Sequence, residues 1–171
     1  MDRGTIGGPL AGSVLPLSLP LPLPLPLLLL LLACGLAAPA WAASEDACAL
    51  LSAGEVNAAT GLTVSSGTPG PAIPGIVGKC TWTAQDGTKI VITLRDVRHI
   101  QATLEAQERA GGTAVAALGA QAIGLPAPAF AGGGYLIGVL DRQGGFEVSV
   151  LGAGGSETRA LALARRIEAQ R

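Results

Sequence analysis

Cys80-Thr81-Trp82-Thr83-Ala84, then Gln85-Asp86-Gly87-Thr88, then Lys89-Ile90-Val91-Ile92-Thr93-Leu94-Arg95 reads as a strand, a turn and a strand. Asp-Gly supplies the positive φ that a tight hairpin turn needs, and β-branched residues crowd the run behind it. Ile90, Ile92 and Leu94 share one face of the second strand, whereas Lys89, Thr93 and Arg95 share the other. Side chains alternate across a strand, so the Ile-Leu face belongs on a core, with Cys80 and Trp82 pointing the same way.

Working outward, the same grammar recurs. Tyr135 to Leu140, the turn Asp141-Arg142-Gln143-Gly144-Gly145, and Phe146 to Leu151 form a second hairpin, with Phe146, Val148 and Val150 opposite Glu147 and Ser149. Helices separate and flank the hairpins. Ser52 and Glu55 are spaced as a capping box, Leu51 and Val56 as a hydrophobic staple, and Gly61 can close the short helix they start. From 97 to 110, Val97, Ile100 and Leu104 form an apolar stripe that stops at Gly111-Gly112. Gln107 and Glu108 stand where the next apolar residue belongs, so the last turn is expected to fray or lie past the core's edge. Ser156 caps a final helix whose Ala160, Leu163, Ala164 and Ile167 make one stripe, with Arg165, Arg166 and Arg171 near its carboxyl end. Val115 to Gly134 is hard to assign, and Pro126 with Pro128 argue for an irregular connection across much of it. The expected fold is α+β, an antiparallel sheet of two hairpins with helices on one face, in the order αββ-αββ-α.

The amino-terminal block is of another kind. Twelve residues without proline lie between Pro26 and Pro39, too few for a membrane-spanning helix of about 20 but within the range of a signal-peptide core. Ala40-Trp41-Ala42 places small residues where signal peptidase requires them, so residues 1–42 read as a signal peptide cut before Ala43. An uncleaved anchor helix is the rival reading. Leu31-Leu32-Ala33-Cys34 also resembles a bacterial lipobox, which makes Cys34 a candidate lipidation site and a membrane-anchored lipoprotein the alternative. The remaining 129 residues, 43–171, suffice for one small domain. Export and an even count make a Cys48–Cys80 disulfide the leading reading, against two buried free thiols.

The segment from Asp46 to Val56, Cys80-Thr81-Trp82, the Asp-Gly hairpin and Leu118-Gly119-Ala120-Gln121-Ala122 together resemble small bacterial extracytoplasmic domains of unknown function, many of them lipoproteins. Their pattern has a Cys before a capped helix, a Cys two residues before an aromatic, and Leu-Gly-Asp-x-Ala-aromatic ahead of the last hairpin. Here Ala120 replaces the acidic residue and Ile123 the aromatic. The resemblance implies fold and extracytoplasmic compartment, and it supplies no catalytic residue.

Chemistry is sparse. Eleven Lys and Arg against twelve Asp and Glu, with charged residues at 13%, exclude a general nucleic-acid footprint. His99 is the single histidine, so any triad would run through it, and Asp96-x-x-His99 offers two metal ligands where a stable site needs three or four. Gly152-Ala153-Gly154-Gly155-Ser156 has the look of a phosphate cradle, but Glu157 stands in place of the third fingerprint glycine. Trp82 could stack on a ligand, yet its inward face beside a cysteine points to the core. No cofactor or metal is expected. The Pro/Gly-rich loop 67–78 carries Ala72, Ile73 and Ile76 without charge, and Ile73 and Ile76 are the candidate recognition residues. These features lead to the expectation of a non-enzymatic binding or accessory module of the bacterial cell envelope, periplasmic or secreted. Its partner would be an envelope protein or ligand, with membrane contact only through the signal peptide or a lipid anchor. The alternatives are a hydrolase using His99 and an inhibitor of an exported enzyme that inserts the Pro-rich loop.

Overall fold

A computed structural model describes residues 46–71 and 73–171. The segment read as a signal peptide, its expected cleavage site, Cys34 and Ala72 lie outside the described residues.

The first helix, α1 (Ala53–Thr60), begins as its sequence dictates. The Glu55 N–H donates to Ser52 Oγ at 3.3 Å and the Ser52 N–H to Glu55 Oε2 at 2.9 Å, a reciprocal capping box. Leu51 and Val56 are both buried, and Gly61 closes the helix at φ 69°. Glu55 also accepts from Arg166 Nη2 at 2.9 Å and Gln170 Nε2 at 3.2 Å, which pins α1 to the last helix. The Ser52 N–H first, and the Arg166 guanidinium next, hold the Glu55 carboxyl down at about 2 rather than 4.5. A carboxyl whose pKa falls on folding stabilises the fold above its unfolded pKa, and this contribution fades as pH drops from 4.5 toward 2. Glu55→Gln should therefore lower the melting temperature at pH 7, by an amount that shrinks steadily below pH 4.5. Thermal melts across the pH range check this, and curves that stay parallel down to pH 2 contradict it.

Seven strands form one antiparallel sheet among the described residues. They are β1 (Thr68–Pro69), β2 (Ile76–Thr83), β3 (Lys89–Arg95), β4 (Thr113–Ala114), β5 (Gln121–Pro126), β6 (Gly134–Asp141) and β7 (Gly144–Leu151). Their spatial order is β1-β2-β3-β7-β6-β5-β4, so each edge is a strand of two residues. At the Asp-Gly turn, Gly87 takes φ 82° and Asp86 Oδ1 accepts from the Thr88 N–H at 2.9 Å. The register Trp82↔Ile90 and Ile92↔Val148↔Ile137 stacks the apolar sets of four strands on one face. Over that face lie α1 and α3 (Glu157–Glu168), whose Ala160, Leu163, Ala164 and Ile167 are fully buried in the same cluster. The Cys48–Cys80 disulfide ties the segment before α1 to β2 across a Cα separation of 5.0 Å.

The α+β class holds, but the one-faced arrangement does not. The helix α2 (Val97–Arg109) lies on the opposite face of the sheet, where Ile100 and Leu104 pack with Ile123 of β5 and Leu140 of β6. Two glycines admit it. A Cβ on Gly138 would stand 2.8 Å from Leu104 Cδ2, and one on Gly145 would stand 2.6 Å from Ile100 Cγ1. The stripe is also displaced from the expected one: Val97 is 44% exposed, while Gln107 is buried and the last turn is intact. The element order has three strands more than expected. Val115 to Gly134 is irregular over much of its length but also contains β5, which pairs with β6 from Gln121↔Leu140 to Pro126↔Tyr135, and proline is tolerated at that strand end. No helix among the described residues is long and apolar enough to cross a membrane.

Candidate functional site

Because α2 covers only part of the second sheet face, a groove of about 430 Å³ remains beside it. Its wall is the outer side of α2, where Ala102 and Ala106 are exposed and Ala110 follows in the helix cap. Successive alanines four residues apart fall on one side of a helix, so the wall is a strip of methyl groups. The floor comprises Leu125 and Leu136, half-buried neighbours paired across β5 and β6. Arg95, just before the α2 amino terminus, His99 in the first turn, and Glu147 of β7 supply the charged and titratable lining.

The polar lining is incompletely satisfied. Arg95 Nη2 approaches Glu147 Oε2 only to 4.0 Å, and Arg95 Nε is buried without a hydrogen-bond partner. Burial pushes the Glu147 carboxyl up, opposed by Arg95, by a hydrogen bond from Ser149 and by Lys79. Gln107 is 6% exposed, and its Oε1 also lacks a partner. Buried polar atoms are nearly always paired, so an unpaired donor and an unpaired acceptor on two residues that line one groove single it out as the candidate site.

The structure brings Asp96 and His99 together. Asp96 caps α2 by accepting the His99 N–H at 3.0 Å, and His99 Nδ1 lies 2.8 Å from each carboxylate oxygen. These His99 contacts hold the Asp96 carboxyl below its usual range. The pair is nearly half exposed, and the ring lies against the backbone of Gly75. Thr103 donates its hydroxyl to the His99 carbonyl at 2.8 Å, so that hydroxyl serves the helix. Among the described residues, no cluster of three or more His, Cys, Asp or Glu is placed to hold a metal.

The other sequence candidates take structural places. In the Gly152–Gly155 turn, the Gly154 N–H donates to Thr88 Oγ1 at 3.0 Å, Gly155 to the Gly152 carbonyl at 2.8 Å and Gly152 to the Gly133 carbonyl at 3.1 Å. Amides so engaged cannot cradle a phosphate. Trp82 is 1% exposed and belongs to the main core. Within 67–78, Thr68 and Pro69 pair with Thr81 and Cys80, and Ile76 onward lies in β2. Ile73 is 51% exposed, and its carbonyl accepts the Ile76 N–H at 2.9 Å, so the two candidate recognition residues flank one tight turn.

Sequence reasoning missed the groove itself, along with Arg95, Gln107, Leu125, Leu136 and Glu147 as a set. The available signal was the pair Gly138 and Gly145, which fall on the face the hairpin pattern had assigned to solvent. Comparison with protein-family models, curated proteins and solved structures finds no match for this chain.

Proposed function

We propose that this chain is an exported, non-enzymatic binding module of the bacterial cell envelope, and that it receives its ligand in the groove between α2 and the sheet. One observation carries the reading: an open groove walled by alanines and floored by Leu125 and Leu136 has at one end the partly exposed Arg95 guanidinium, whose approach to Glu147 stops at 4.0 Å. A guanidinium so placed keeps N–H donors for an acceptor in the groove. The disulfide supports the compartment, since such bonds persist where conditions are oxidising. The resemblance to small extracytoplasmic domains points the same way.

A tryptophan at Ala106 would fill the groove from an exposed helical position without touching the core. Wild-type and Ala106→Trp protein, each purified from the native host's envelope, are compared by native mass spectrometry for retained small molecules. The expected result is a bound species in the wild type that disappears in the variant, with melting temperatures within about 2 °C, as for a surface change. The same species in both, or in neither, overturns the groove as the binding site.

A second reading draws on the Asp96–His99 geometry, which orients an imidazole as a hydrolase requires. It predicts turnover that Asp96→Asn abolishes.

A further inference from the structure

We infer that the ligand of this groove is a single amphiphile with an acidic head, carboxylate or phosphate, seated on Arg95 and an alkyl chain laid along the alanine wall. The inference rests on the binding reading above and names the chemistry of what binds. Ala102, Ala106 and Ala110 span eight residues of helix, or about 12 Å, and with Leu125 and Leu136 they bound a trough without charge. A flexible alkyl chain suits such a trough because it covers apolar surface along its length and needs no hydrogen bonds.

The sign of the head follows from what surrounds Arg95. Its nearest carboxylate, on Glu147, stays at 4.0 Å and takes its own hydrogen bond from Ser149, so the guanidinium fork is left with donors to spare. Lys79 adds positive charge nearby, since it pairs with Thr93, which in turn pairs with Glu147 across the sheet. A planar or tetrahedral oxyanion is the acceptor that such a fork binds best. A cationic head would meet Arg95 instead.

Titration calorimetry of the full mature protein with dodecanoate, dodecyl phosphate, octanoate and dodecyltrimethylammonium, each below its micelle concentration, tests the assignment. Dodecanoate or dodecyl phosphate should bind at one site, and whichever is tighter identifies the head. Octanoate should bind at least tenfold more weakly than dodecanoate, because each methylene removed from the trough costs severalfold in affinity. The cationic amphiphile should also bind at least tenfold more weakly. Arg95→Gln should erase the difference between heads, and Leu136→Asp should weaken every alkyl probe. Equal affinity for anionic and cationic heads in the wild type overturns the head assignment. If no alkyl probe binds while the species retained from the native envelope still depends on Ala106, the amphiphile class is wrong and the binding reading stands. If retention does not depend on Ala106, the binding reading itself fails.

Discussion

Cys80→Ser is expected to lower the stability of the folded domain by roughly 2–5 kcal/mol. The bond closes a ring across 32 residues of sequence, enclosing α1, β1 and the proline-rich turn. In the chain-entropy account a ring of that size restricts the unfolded state by roughly 3–4 kcal/mol. The substitution also places a hydroxyl at a position with 0% exposure, facing the apolar cluster and separated from water. Urea unfolding of oxidised wild type and variant should show a lower midpoint with a slightly steeper slope, because the uncrosslinked chain unfolds further. Thiol counting on the unfolded, unreduced wild type should find neither Cys48 nor Cys80 free. An unchanged midpoint, or two free thiols, contradicts the expectation.

Trp82→Ala is expected to cost about 3–5 kcal/mol, a drop of roughly 10–20 °C in melting temperature for a domain of this size. Trp82 is 1% exposed, pairs with Ile90 in the central hairpin, and has Gly67 laid directly against its ring. A Cβ at Gly67 would stand 2.8 Å from Trp82 Cε2, so the segment entering β1 is shaped to the indole. Removing the ring leaves a cavity that this segment cannot fill without losing its pairing to β2. Circular dichroism melts measure the loss. A Trp82→Ala protein with wild-type stability would instead make the indole available for a ligand, the reading that its burial disfavours.

Legibility in the sequence tracked how local each decision was. The capping box at Ser52 and Glu55, the Asp86-Gly87 turn and the stripe of Ala160, Leu163, Ala164 and Ile167 are settled within one or two turns of chain, and each stands where its pattern placed it. The side of the sheet that α2 occupies is not local. It depends on how the chain leaves Arg95, and the face it covers reads as polar along β3 because Lys89, Thr93 and Arg95 hold that side. β5 was obscured by its own composition, since Ala122, Gly124 and Pro126 give its inner face almost no hydrophobic signal. The groove was least legible of all. Its members come from β3, α2, β5, β6 and β7, and no spacing in one segment announces that they converge.

The two-residue edges of the sheet bear on how this chain meets other chains. Along the outer side of β2, Thr68 and Pro69 pair with Thr81 and Cys80, Gly70 donates to the Lys79 carbonyl, and Ser65 reaches the Thr83 carbonyl at 3.5 Å. Along the outer side of β5, Thr113 and Ala114 pair with Gly124 and Ile123, and Val115 donates to the Ala122 carbonyl. Short pieces, one of them carrying Pro69, therefore occupy the ladders that would otherwise template an incoming strand. An open ladder seeds fibrils and domain exchange wherever a chain folds at high local density, and the export proposed above would place that folding beyond the reach of cytosolic chaperones. Here the outer ladders of β2 and β5 are already paired within the chain, which leaves little of either for strand addition.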